Sequence, residues 1–394
     1  MNFPTTFPEQ MQNVQPGMEY EMNPTPVFYD PMYNKKGDIL KDKVAVVTGG
    51  DSGIGRAVSV AYAYQGADVV IIYYNENKDA EETKKIIDET GRKCTLICGD
   101  ISNEEFCITA IEKVISEYGK LDILVNNAAV QYECIDIKQL KSEQFDKTFK
   151  INVYGAFYMT KAAMNHLKSG GCIINTTSIV AFKGNETLID YSMTKGALEV
   201  FTRSLSMALC KGKTGIRVNA VAPGPIWTPL IVSSFDKTKV SQFGSDTPMG
   251  RAGQPVECAG AYVFLASDNA SFITGQTIHV NGGHIVNSWI NLKKNKNSYQ
   301  ILWKRCTYTF VDWLSAMNNI NKKDSEDEAQ MIGIILTSDS IILLNDLILY
   351  TTPGPAVDTI NRENSSLNNV VINKSNNLLT GELYYLQDDG AWIK

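Results

Sequence analysis

The sequence predicts an α/β protein built on a doubly wound parallel sheet of about seven strands, with helices on both faces. Three observations carry that prediction. Short Val/Ile-rich runs recur from residue 41 to 288, longer amphipathic stretches alternate with them, and the first apolar run passes directly into the glycine-rich "TGGDSGIG" of residues 48–55. The runs are nearly continuous in apolar character, as expected of strands buried on both faces. An arm precedes this region and an extension follows it. Three segments are therefore expected: arm 1–40, core 41–288 and extension 289–394.

The arm is rich in Pro, Met, Gln and aromatics and shows no periodicity, so it reads as an extended segment lying along a folded body, its own or a neighbour's. The strand candidates then follow in order: "KVAVVTG", "DVVIIYY", "KCTLICGD", "LDILVNNAA", "GCIINTTS", "IRVNAVAPG" and "QTIHVNGG". "NKDAEETKKIIDET" and "EEFCITAIEKVISEYG" are helical stretches between them, and two longer helices are expected at about 142–168 and 189–211. Right-handed crossovers place such helices on both faces of the sheet. From about residue 289 Asn becomes frequent and the alternation stops; "GIILTSDSIILLND" and "GELYYLQDDGAWIK" each read as two short strands around a polar turn.

Composition narrows the function. A net charge of -6 and the lack of a Lys/Arg cluster beyond "NLKKNKN" argue against nucleic acid as a partner. The N-terminus has no basic start or apolar h-region, and "IGIILTSDSIILLNDLILY" contains Asp339, Asn345 and Asp346, which makes it too polar for a membrane span. Eight cysteines form no CxxC pair and only three histidines occur, so no metal centre is expected and the cysteines read as reduced thiols of a cytoplasmic protein.

The four glycines of residues 48–55 weaken regular structure where a strand should turn into a helix. Ligands of parallel sheets bind at the carboxyl ends of the strands, where glycine lets the backbone approach a pyrophosphate and the next helix offers unpaired N–H groups. The spacing, Gly49-x-x-x-Gly53-x-Gly55, differs from GxGxxG. It resembles the short-chain dehydrogenase/reductase family, and further motifs follow in that family's order. "NNAA" at 126–129 is similar to its Asn-Asn-Ala-Gly, with Ala129 replacing the usual Gly. "KINVYG" carries Asn152, "NTTS" carries Ser178 and "YSMTK" carries Tyr191 and Lys195. "PGPIWT" at 223–228 and "GQTIHVNGG" complete the set. The resemblance covers about 250 residues, and within the family the chain resembles the bacterial glucose/ribitol dehydrogenase-like branch, whose members can carry an N-terminal arm.

The resemblance implies a Rossmann-type fold and an NAD(P)-dependent oxidoreductase that moves a hydride between nicotinamide and an alcohol or carbonyl substrate, such as a sugar, polyol, aldehyde or small ketone. It implies that Tyr191 is the general acid/base, that Ser178 polarises the substrate oxygen, that Lys195 lowers the Tyr191 pKa and holds the ribose, and that Asn152 positions a relay water. Tyr191 and Lys195 are one helical turn apart and share a face. Bringing a phenol from about 10 to about 7–8 requires roughly 3–4 kcal/mol, and an ammonium about 5 Å away at an effective dielectric of about 20 supplies roughly 3.

The dinucleotide is expected on Gly49, Asp51, Ser52, Gly53, Ile54 and Gly55, on Tyr73 and Tyr74 after the second strand, and on Asp100 and Ile101. Asn127, Ala128 and Ala129, then Tyr191 and Lys195, and finally Pro223, Gly224, Ile226 and Thr228 complete that set. Tyr73 and Tyr74 stand where family members place Asp for NAD or Arg for NADP. The loop brings no positive charge, which leans the cofactor towards NAD, although Lys78 or Arg56 could reach a 2′-phosphate. Gln131, Val180, Phe182, Trp227 and Leu230 are substrate-pocket candidates. The family also implies a homotetramer or homodimer on the two long helices. The competing reading is a dinucleotide-binding regulatory or scaffold protein whose C-terminal extension is the interaction module.

Overall fold

The computed structural model of the chain describes residues 3–285 and, beyond them, the backbone of short strands between residues 291 and 393. The chain divides into two units, residues 1–286 and 287–394.

The first unit holds a sheet of seven parallel strands: β1 (Val44–Thr48), β2 (Asp68–Tyr73), β3 (Cys94–Cys98), β4 (Ile123–Asn126), β5 (Cys172–Thr176), β6 (Arg217–Pro223) and β7 (Thr277–Val280). Their order is β3-β2-β1-β4-β5-β6-β7, so the chain reverses direction across the sheet between β1 and β4. Every adjacent pair is parallel, with Val46 beside Val70 on one side and Leu124 on the other. Along β1 the side chains alternate between two cores. Ala45 and Val47 pack with Tyr62, Ile71 and Tyr262 on one face, while Val44 and Val46 pack with Ile111, Met159 and Ile173 on the other. This two-sided burial explains why the strands read as continuous apolar runs.

The crossovers are α1 (Gly53–Tyr64), α2 (Asn77–Glu89), α3 (Glu104–Tyr118), α4 (Ser142–Phe149), α5 (Gly155–Ala163), the short α6 (Val180–Lys183) and α7 (Ile189–Lys211). α8 (Pro229–Val232), α9 (Lys237–Ser241) and α10 (Pro255–Ala266) complete the unit. Local chemistry sets their ends. The Asn103 side chain accepts the Phe106 N–H at 3.2 Å to open α3, and Gly119, at φ 74°, closes it in the left-handed region. Glu257 accepts the N–H of Gln254 at 2.8 Å to open α10. The single helix expected at 142–168 is instead two helices joined by a π-helical turn, Lys150–Tyr154, which contains Asn152. Such turns have no signature in hydrophobic periodicity.

The arm lies along the core of its own chain. Phe7 stacks on Trp227 with ring centroids 3.7 Å apart and planes 6° from parallel. Gln12 N–H donates to Val232 O at 2.6 Å, and the Trp227 indole donates to Pro24 O at 2.8 Å. Val27 pairs with Gln254 and Val256.

In the second unit, β8 (Asn291–Asn295), β9 (Ser298–Trp303) and β10 (Cys306–Thr309) form an antiparallel sheet. β11 (Ala356–Val357), β12 (Val370–Val371), β13 (Tyr384–Leu386) and β14 (Trp392–Ile393) form a mixed sheet in the order β11-β14-β13-β12, with β11 parallel to β14. β13 and β14 are antiparallel, the pairing expected for "GELYYLQDDGAWIK". "GIILTSDSIILLND" lies outside the described residues.

Candidate active site

A cavity of about 480 Å³ opens at the carboxyl ends of the strands, beside the reversal between β1 and β4. Thr48 and Asn127 lace this point. The Thr48 hydroxyl accepts the N–H groups of Asn127 and Ala128 at 2.9 and 3.1 Å, and the Asn127 amide donates to Thr48 O and Gly49 O, both at 3.1 Å. Gly49 is at φ 62°, and a Cβ built on Gly55 would lie 1.8 Å from Gly49 O. The turn therefore closes only with glycine there. Gly49, Asp51, Ser52, Gly53 and Ile54 line the cavity, whereas Gly55 supports the turn from behind.

One end of the cavity is formed by α7 and the segment after β5. Ser178, Tyr191 and Lys195 all line it. Lys195 Nζ donates to Thr176 O at 2.7 Å and lies 5.4 Å from the Tyr191 ring centroid. Burial lowers the Lys195 ammonium to about 7. Burial also raises the Tyr191 phenol above its ordinary range, with a hydrogen bond to Ser178 pulling it back. In the protein alone the phenol thus moves opposite to the shift expected from Lys195, because removing both groups from water outweighs their attraction. Asn152 sits behind the cavity. Its carboxamide accepts Val130 N–H at 2.8 Å and donates to Val130 O at 2.9 Å and Thr194 Oγ1 at 3.1 Å, which ties the loop after β4 to α7.

Tyr73, Tyr74, Asp100 and Ile101 line the far end of the cavity, together with Asp51 and Glu76. Asp51 is 2 % exposed and its Oδ2 has no hydrogen-bond partner. Burial, and secondarily the neighbouring Glu76, raise its carboxyl to about 8. The two cations that could reach this end both turn to the arm. Arg56 pairs with Glu19 at 2.8 Å and Asp79 at 3.3 Å, and Lys78 lies 3.7 Å from the centroid of the Tyr20 ring.

Asn127, Ala128, Ala129, Pro223, Gly224, Ile226 and Thr228 also line the cavity, as do the pocket candidates Gln131, Val180 and Leu230. Two pocket candidates do not. Trp227 is fully buried beneath Phe7, and Phe182 packs edge-on against His279 at 4.6 Å. Sequence reasoning missed the arm's share of the wall. Gln15, Pro16 and Gly17 line the cavity, and the Gln15 side chain accepts Gln131 N–H at 2.9 Å and donates to Gln131 O. It also missed the rim formed by Lys183, Asp246 and His284, where Lys183 Nζ and His284 Nε2 are 2.9 Å apart. Neither group carries a spacing signal, because tertiary contacts alone bring them to the cavity. Among the described residues no group of His, Cys, Asp and Glu could hold a metal ion.

Comparison with known proteins gives consistent results. Residues 49–284 match the family described as Enoyl-(Acyl carrier protein) reductase. General stress protein 39 of Bacillus subtilis (strain 168) is 60% identical over 285 residues, which cover 72% of this chain and 99% of that protein. Glucose and ribitol dehydrogenase of Daucus carota is 47% identical over 287 residues, covering 71% of this chain and 98% of that protein. Among solved structures, a short chain dehydrogenase from Burkholderia cenocepacia J2315 in complex with NADP superposes with a TM-score of 0.59 at 30% identity, covering 62% of this chain and 99% of the other.

Proposed function

The chain belongs to the short-chain dehydrogenase/reductase family, and from that premise we propose how its residues divide the work. It is an NAD(P)-dependent oxidoreductase acting on alcohol or carbonyl groups. The observation that carries the assignment of roles is the meeting of Ser178, Tyr191 and Lys195 in one cavity with the glycine turn.

The cavity fits a dinucleotide. The turn closes only with glycine at 55, and Asp51 Oδ2 is a buried polar atom at its edge without a partner. Gly49, Ser52, Gly53 and Ile54 would face the phosphates, Tyr73, Tyr74, Asp100 and Ile101 the adenosine, and Pro223, Gly224, Ile226 and Thr228 the nicotinamide. When bound, the nicotinamide supplies or accepts the hydride.

Tyr191 gives or takes the proton on the substrate oxygen. Burial holds it as the neutral phenol in the protein alone, ready to donate towards a carbonyl. Ser178 donates to the same oxygen and polarises it. Lys195, with one donor spent on Thr176 O, keeps its others for hydroxyls. A positive charge on it lowers the Tyr191 pKa when the phenol must act as a base. Asn152 holds the loop and α7 in register, and a water on its remaining lone pair or its carbonyl would link Lys195 to solvent.

The preference leans to NAD. Arg56 and Lys78 are committed to Glu19, Asp79 and Tyr20 and so are not offered to a 2′-phosphate, while Asp51 and Glu76 offer carboxyl groups that could accept ribose hydroxyls. Sugars and polyols suit the polar wall of Gln15, Gln131 and Asn185. Met193, Val200 and Met207 recur every seven residues on α7 at 50%, 54% and 66% exposure, and this apolar stripe supports a homodimer or homotetramer. No helix of the described residues is long and apolar enough to cross a membrane, and the described cysteines are free thiols, which supports a cytoplasmic site. The joint lining of one cavity by Ser178, Tyr191 and Lys195 speaks against a purely regulatory role. Nicotinamide absorbance at 340 nm, followed over alcohols, sugars and aldehydes with NAD and NADP, tests the reading. Turnover of at least one such pair is expected, and silence across the panel would contradict it.

A further inference from the structure

The buried cluster beneath the glycine turn contains a residue from an unexpected place. Glu19, in the arm, is 0% exposed. Its Oε2 accepts the Gly53 N–H at 2.5 Å, and its Oε1 pairs with Arg56 Nη1 at 2.8 Å. Arg56 is 1% exposed and donates from Nε to Asp51 O at 2.8 Å, within the turn itself. Asp79, from α2, closes the ring. Its carboxylate accepts the N–H groups of Glu19 and Tyr20 at 2.8 and 3.2 Å and pairs with Arg56 at 3.3 Å. The arm is thus bonded to the first residue of α1 and, through one guanidinium, to the carbonyl of the turn. Four residues earlier, Gln15 grips Gln131 on the cavity wall.

We propose that Glu19 is a positioning residue of the dinucleotide site, so that docking of the arm and binding of dinucleotide are one coupled equilibrium. The inference rests on the dinucleotide reading above. A turn rich in glycine loses much conformational freedom when it is fixed. Glu19 and Arg56 fix Gly53 and Asp51 from behind before any ligand arrives, and this pre-organisation lowers the cost of binding. Released, the arm leaves Arg56 without its shortest ion pair and Gly53 without its acceptor. Coupling of this kind is reciprocal, so dinucleotide must hold the arm down by the same factor by which the arm strengthens binding.

The test uses the full chain, with the dissociation constants of NAD and NADP measured by calorimetry and hydrogen exchange measured at Glu19 and Tyr20, whose N–H groups report docking directly. Glu19→Ala is expected to weaken dinucleotide binding about 10-fold or more while kcat at saturating dinucleotide stays within about twofold. Glu19→Gln, which keeps the acceptor for Gly53, is expected to fall between. In the unaltered chain, dinucleotide is expected to slow exchange at Glu19 and Tyr20 by a factor matching the loss in Glu19→Ala. A Glu19 that only braces the fold would lower the unfolding temperature of the cofactor-free variant without changing its dissociation constant, and that result would overturn the proposal. So would exchange at Glu19 and Tyr20 that ignores dinucleotide, a measurement that needs no variant to fold. An unaltered chain that binds neither NAD nor NADP would overturn the dinucleotide reading itself.

Discussion

Lys195 Nζ lies 5.4 Å from the ring centroid of Tyr191, yet burial moves both groups towards their neutral forms. The attraction expected between ammonium and phenolate therefore does not control the protein on its own. A positive charge arriving in the cavity would favour the phenolate, and water reaching the two groups would favour the charged form of each.

That relationship has a stability consequence. Lys195 falls to about 7 in the folded chain from an ordinary 10.5. Between those values the unfolded chain binds more protons, so this group makes stability rise with pH from about 7 to 10. The amount is on the order of 5 kcal/mol. Urea unfolding of the cofactor-free chain should show that rise, and Lys195→Met should flatten it. An unchanged slope in the variant would contradict the burial argument.

Glu19 predicts the opposite slope in a lower window. Burial raises its carboxyl to about 7 from 4.5, with Arg56 and the Gly53 N–H pulling down. The docked arm then holds more protons than the released arm between pH 4.5 and 7, so docking weakens as pH rises through that window and levels off above it. Asp79, also raised by burial, acts in the same direction; Arg56 faces both carboxyls from α1, and Glu82, at 50% exposure, lies on the solvent side of the cluster. Exchange at Glu19 and Tyr20, corrected for intrinsic rates, should be faster at pH 8 than at pH 5. Glu19→Gln should reduce that dependence.

The apolar stripe on α7 predicts assembly. Val200→Glu places a charge at its middle, where a copy of the chain would have to bury it. Light scattering at micromolar concentration should show a dimer or tetramer for the unaltered chain and a smaller species for the variant. A monomer in both would contradict the assembly proposed.

The described residues that line the cavity all lie between Gln15 and His284. A relative 60% identical is matched over 99% of its own length by 285 residues of this chain. A chain ending at Ser288 should therefore fold, bind dinucleotide and turn over within about twofold of the full chain. A soluble, correctly assembled but inactive product would place part of the site in the extension.

The sheet was legible because strands buried on both faces leave uninterrupted apolar runs, as in Val44–Val47 with its neighbours. The cavity was legible because Gly49, Ser178, Tyr191 and Lys195 sit at fixed spacings on those strands and helices. The arm was legible as an extended segment on a folded body but its part in the site was not, since Phe7, Gln15 and Glu19 take their places from contacts with Trp227, Gln131 and Arg56 that lie far away in sequence. The π turn at Asn152 escaped because it leaves the apolar pattern intact. The direction of the Tyr191 shift escaped because depth of burial cannot be read from a four-residue spacing.

The most direct measurement is the 340 nm rate of the unaltered chain and of Tyr191→Phe on the best substrate of an alcohol, sugar and aldehyde panel, beside their dinucleotide dissociation constants. In the proposed mechanism the phenol acts on the substrate oxygen, so Tyr191→Phe should lose at least about 100-fold in kcat, within the usual range for a general acid/base. Its dinucleotide affinity should stay within about threefold. A Tyr191→Phe protein that keeps substantial turnover on that substrate would contradict the account.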